Sequence, residues 1–164
     1  MISFLRSERL RARLTEVFGF DTRSLAVARI ALGLLVVLDV CGRLVDYDTF
    51  YTEGGVLNRM KTLELYHRKE YVSLFMASGA DWWAGLCFAI EGIAGLCYML
   101  GYRTRLTGWI AWFMMIGCHA RFSQVLQAGD LLLRLLLFWS FFLPMGARFS
   151  IDSMKGRVAH AKDS

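Results

Sequence analysis

The stretch AGDLLLRLLLFWSFFLPMGARFSID, Ala128–Asp152, decides how the chain folds. Its apolar run is greasy enough for lipid, yet it carries Arg134, with Asp130 one turn earlier and a Pro144-Met145-Gly146 stop behind it. A guanidinium facing hydrocarbon is unfavourable by about 3 kcal/mol, and a soluble core rarely admits one. A neighbouring helix has to receive the charge.

The rest of the chain supports a membrane setting. Hydrophobic residues make up 56% of the 164, with a single proline, whereas soluble domains run nearer roughly 45–50% apolar. The net charge of +5 could suggest nucleic acid, but the basic residues flank apolar runs, as membrane topology requires. A lipid bilayer, and no nucleic acid, is the expected partner. Cys41, Cys87, Cys97 and Cys118 all lie in apolar runs without a CxxC pair and read as small hydrophobes. The opening MISFLRSERLRARLTEVFGF is too charged for a cleavable leader, so the first span is expected to be retained.

Hydropathy and periodicity predict an all-α, polytopic membrane protein, a bundle of four transmembrane helices. The spans run from about Leu25 to Val45, Trp82 to Leu100, Leu106 to Phe122 and Ala128 to Ala147, within a membrane domain of residues 21–152. Residues 1–20 alternate apolar Ile2, Leu5, Leu10 and Leu14 with arginines. That pattern predicts an amphipathic helix on the membrane surface, or else one packed on the protein's own loops. The outer loop, residues 46–81, holds a Gly54-Gly55 turn and one or two amphipathic helices before the interfacial Trp82-Trp83 pair. Basic residues crowd the N-terminus, the turn Tyr102–Arg105 and the tail, residues 153–164. The positive-inside rule then places both termini in the cytoplasm.

Seven charges fall inside the spans: Arg29, Asp39, Arg43, Glu91, Asp130 and Arg134, with Arg121 closing the third at its outer side. Asp39 with Arg43, and Asp130 with Arg134, stand four residues apart, on one helical face. At about 1.5 Å per residue, Asp39 and Arg134 share a depth of about 9 Å, which predicts a polar cluster of Asp39, Arg43, Asp130 and Arg134 near the outer leaflet. Glu91, halfway along the second span, either takes up a proton or is held by Arg29. It is the candidate catalytic residue, and a purely structural Glu91–Arg29 link is the competing expectation. Gly85, Ala89 and Gly92 predict a close helix contact inside the bundle. His119 reads as an interfacial residue, and with His67 and His160 elsewhere no metal set is expected. The aromatics Trp109, Trp112, Phe113, Trp139, Phe141 and Phe142 either pack or line a quinone or lipid site.

Three blocks, ARIALGLLVVLDVCGRLVDYDTFYTEGGVL, LGYRTRL and GDLLLRLLLFWSFFLPMGARFSID, resemble the HTTM family, bacterial membrane proteins similar to vitamin K-dependent gamma-carboxylase. Arg29, Gly55, Arg105, Gly129, Asp130, Arg134, Pro144, Ser150 and Asp152 match recurring positions of that pattern. The resemblance implies a helical domain in a bacterial cytoplasmic membrane. In the carboxylase branch it implies oxidation of a reduced vitamin K coupled to carboxylation of glutamate, dependent on a lysine in further helices. Here Lys61, Lys69, Lys155 and Lys162 all lie outside the spans, so that half is expected to be absent. A weaker similarity, through the first span and LGYRTRL, is to DoxX-like proteins and implies quinone-linked redox chemistry.

Two function classes follow. One is an accessory or binding subunit of a larger membrane protein complex, with a quinone or lipid as the expected bound molecule. The other is a quinone-linked oxidoreductase or carboxylase-like enzyme using Glu91.

Overall fold

A computed structural model describes residues 22–52, 54–56, 74–122 and 126–162, the last six of these by their backbone path alone. Every regular element among them is helical. In chain order they are α1 (Thr22–Val45), α2 (Tyr47–Phe50), a 3-10 turn (Leu74–Met76), α3 (Asp81–Leu100), α4 (Thr104–Arg121), α5 (Ala128–Ser140) and α6 (Ile151–Lys162). The expected amphipathic helix of residues 1–20 lies outside the described residues, as does most of the expected loop helix, residues 57–73. The boundary expected between membrane domain and tail, at residue 152, falls inside α6 instead.

The four long helices pack in a ring: α1 on α3, α3 on α4, and α5 closing it against α1 and α4. Each helix contributes two residues to the central core, Leu32 and Val36, Ala94 and Tyr98, Ala111 and Met115, Leu133 and Leu137. A second, aromatic core lies under the α2 end, where Tyr51 meets Phe122 edge-on at 4.4 Å and Phe88 at 5.0 Å. The tightest approach of α1 and α3 is made by Gly33 against Met99 and Gly95 against Val36. A Cβ at either glycine would stand under 3 Å from its neighbour. The expected small-residue face contributes less: Gly92 meets Val40 at ordinary distance, Gly85 lies under Tyr47, and Ala89 is exposed.

Among the described residues two helices, α1 and α3, are long and apolar enough to cross a membrane. The fourth expected span departs most from expectation. Its helix has 13 residues, about 20 Å, and stops at Ser140 rather than Ala147. Beyond Ser140 the chain tightens into successive three-residue turns, with Phe141, Phe142 and Leu143 N–H bonded to the carbonyls of Phe138, Trp139 and Ser140. Pro144 cannot donate to a helix ladder, and Gly146 follows it.

Gly101 ends α3 in the left-handed conformation, φ 73°, with its N–H on Tyr98 and the Tyr102 N–H on Cys97. It also faces Ser150, whose Cβ would stand 2.3 Å from an added methyl. Gly101→Ala is therefore expected to lose at least about 1–2 kcal/mol from the backbone conformation alone. A thermal denaturation midpoint in mild detergent equal to that of the parent protein would refute this.

Candidate functional site

One end of the bundle is organised by Arg29, a guanidinium in the middle of an otherwise apolar stretch of α1 and wholly buried. Its Nη1 donates to the carbonyls of Met145 (3.1 Å) and Arg148 (3.3 Å), and its Nη2 to that of Phe149 (2.5 Å). Those carbonyls lie in the irregular segment after α5, where no helix ladder can use them. The expected Glu91–Arg29 link does not form. The turn offers the cation several acceptors at its own level, and charge-assisted bonds to carbonyls engage both terminal nitrogens without a second buried charge, while the buried Nε has no partner among the described residues.

The same segment continues into Asp152, whose carboxylate reaches the start of α4. Oδ1 accepts the Arg103 N–H at 2.9 Å, while Oδ2 accepts the Thr104 N–H at 2.9 Å and the Thr104 hydroxyl at 2.8 Å. Asp152 thus caps a helix remote in sequence, where an anion is favoured. Its own N–H returns to the Gly101 carbonyl. Burial alone would raise the Asp152 pKa, but the bonds from Thr104 and Arg103, helped by Lys155, hold it below its ordinary value of 3.8. Two residues of this clamp, Arg103 (φ 44°) and Phe149 (φ 49°), take the left-handed conformation without being glycine. Such backbones persist only where the surroundings over-determine them.

Between the clamp and the bundle core lies a cavity of about 570 Å³. Arg103, Arg105 and Asp152 are at its polar side, and Leu106, Phe141, Leu143 and Met145 line its apolar wall. At its inner end Tyr98 donates to Ser140 Oγ at 2.8 Å, and Ser140 donates to the Leu137 carbonyl at 2.6 Å.

The opposite end is organised by Arg43. Its Nε donates to Asp39 at 2.9 Å, its Nη2 pairs with Asp130 Oδ2 at 3.2 Å, and its Nη1 donates to the Tyr51 hydroxyl at 3.3 Å. One cation therefore joins α1, α5 and the segment after α2. Burial raises the Tyr51 pKa, and the bond from Arg43 works against that. A second cavity, about 390 Å³, opens beside Asp39, Arg43, Tyr51 and Asp130.

Three of the four residues expected in this cluster come together; Arg134 does not join them through an ion pair. Asp130 sits in the first turn of α5, and its carboxylate turns back to accept the Gln127 N–H at 2.9 Å and to meet Arg43. It leaves Arg134 only partly buried, within electrostatic reach of His119.

Glu91 is 1% exposed, its Oε2 has no hydrogen-bond partner, and the charges that act on it are Asp39 and Arg43. It belongs to the Arg43 end, not to the Arg29 end. His119, expected at an interface, is instead 3% exposed with an unpartnered Nδ1, and Cys118 beside it lies within electrostatic reach of Arg43 and Glu91. Among the described residues no three His, Cys, Asp or Glu side chains converge as a metal site. Sequence reasoning missed Thr104, which is used by Asp152 forty-eight residues away, and Tyr51, which reaches Arg43 only because the chain turns back after α1.

Protein-family models, curated proteins and solved structures offer no match to this chain. Its chemistry is therefore argued from the two ends of the bundle themselves.

The Asp152 clamp makes a signed prediction. A carboxylate held below its ordinary pKa contributes its full stability above the unfolded-state value of 3.8, and loses it as pH falls through the lower folded value. Asp152→Asn should lower the free energy of unfolding by about 1 kcal/mol at neutral pH and flatten the acid limb below pH 3.8. An unchanged pH profile in denaturation monitored by circular dichroism would remove the clamp from the stability argument.

Proposed function

We propose that the chain is an integral membrane protein of the bacterial cytoplasmic membrane. In this reading its four long helices span the bilayer, and it serves as a binding or accessory subunit of a membrane complex, holding a lipid-soluble molecule in the cavity beside Arg103 and Arg105. One observation carries this reading: the outward faces of the helices are apolar. Val27, Leu34, Leu35 and Leu38 on α1, Ile93 and Leu100 on α3, Trp109 and Phe113 on α4, and Leu132, Leu135 and Trp139 on α5 are each more than 40% exposed. In water such a continuous belt would aggregate; in lipid, or against partner helices, it is the required surface.

The shortness of α5 fits the same setting. Irregular backbone is tolerated at membrane depth where its carbonyls are satisfied, and Arg29 supplies donors to three of them. Residues 141–147 can then complete the fourth crossing. Arg103, Arg105, Arg148 and Lys155 gather at that end, which favours a cytoplasmic position and, with it, cytoplasmic termini. The resemblance to the HTTM family belongs to this proposal. It gains support from Arg29, Ser150 and Asp152, which the family pattern singles out and which share the clamp.

The chain should resist alkaline carbonate extraction and copurify in mild detergent with a stoichiometric partner protein or a lipid-soluble small molecule. Release into the soluble fraction would overturn the membrane reading, and a lone monomer carrying nothing would overturn the binding role. A second reading, an enzyme, is favoured only by the unpartnered Glu91 carboxyl in the core. Glu91→Gln would then abolish quinone-dependent turnover while leaving the fold intact, and undiminished turnover would dismiss it.

A further inference from the structure

We propose that the cavity of about 570 Å³ binds one anionic membrane lipid, its phosphate held by Arg103 and Arg105 and an acyl chain lying along Leu106, Phe141 and Leu143. This deepens the binding role above and rests on the membrane reading. The volume falls within the range of small-molecule sites. The distribution of chemistry inside the cavity selects the ligand. At the inner end, the hydroxyls of Tyr98 and Ser140 are already committed, the first to Ser140 and the second to Leu137. That end offers an apolar chain a wall without an unmet donor, and offers a quinone carbonyl little to bind.

The mouth is the reverse. Arg103 and Arg105 are exposed, and neither guanidinium has an ion pair or hydrogen bond among the described residues. Asp152 is the one acid lining the cavity, and its oxygens are taken by the backbone of Arg103 and by Thr104. Those bonds turn the carboxylate toward the start of α4 without an ion pair to either arginine, and its single negative charge leaves the mouth net positive. Arg148 and Lys155 stand exposed on the same segment, Lys155 with its ammonium over the Tyr102 ring. A phosphate at the membrane surface beside two guanidiniums is the complement of this arrangement.

The test uses the full chain in nanodiscs of either phosphatidylglycerol or phosphatidylcholine, each doped with a neutral quinone, with retained molecules counted by native mass spectrometry. Phosphatidylglycerol should be retained over phosphatidylcholine by roughly tenfold or more, because the choline ammonium of the latter offsets the phosphate charge that the two arginines attract. Arg103→Asn with Arg105→Gln should abolish that preference, asparagine being tolerated at the left-handed position. Ala147→Trp, which fills the cavity without changing charge, should expel the lipid altogether. Equal retention of the two lipids, a preference that survives the double variant, or retained quinone in place of lipid would each overturn the proposal. A chain that enters neither nanodisc would overturn the membrane reading itself. Should the double variant fail to fold, the comparison of the two lipids on the parent protein decides.

Discussion

A guanidinium with no solvent exposure has to be met by acceptors inside the protein, and at Arg29 all the acceptors recorded are backbone carbonyls of one segment. Much of this end of the molecule follows from that constraint. The segment after α5 is pinned to α1, Ser150 is pressed against Gly101, and Asp152 is delivered to the first turn of α4. Three parts of the chain separated by up to about 120 residues are fixed by one cation and one anion that never touch each other. Removing a buried donor of this kind typically costs about 1–3 kcal/mol for each carbonyl left unsatisfied, because the group left behind keeps its desolvation penalty.

The other end meets its buried cation differently. Arg43 is paired with carboxylates from its own helix and from α5, and a tyrosine from the segment after α2 meets the remaining nitrogen. Carbonyl acceptors suit Arg29 because an irregular turn has carbonyls to spare; carboxylate acceptors suit Arg43 because α5 begins there and its first turn favours an acid. Glu91 lies near this second network without a hydrogen bond at Oε2, and with His119 Nδ1 it is among the buried polar groups that packing alone does not explain. The amphiphile site proposed at the first end draws on the same logic, since the acid is turned to cap α4 and forms no ion pair with the two arginines.

Local spacing made part of this legible. Asp39 and Arg43 four residues apart did form their ion pair, because a helix enforces that separation within α1. The same spacing misled at Asp130 and Arg134. An acid in a first turn has a competing use, bonding backward to an uncapped N–H, and here that use and Arg43 took it. The helical length of the fourth span was likewise overread: hydropathy continued to Ala147, but hydrogen bonding changed register at Ser140, ahead of Pro144.

By itself, the sequence determined the helical class, the positions of the apolar runs and the need for internal partners for Arg29, Asp39, Arg43 and Glu91. Those properties depend on composition and on periodicity within a single helix. Only the tertiary structure decided which partner each charge takes, that LGYRTRL and GARFSID close on one another through Asp152, and that a cavity with unpaired arginines remains between them. Each of these joins residues far apart in the chain. A hydrogen bond depends on distance and direction in space, and the one-dimensional pattern carries neither once the chain leaves a regular helix.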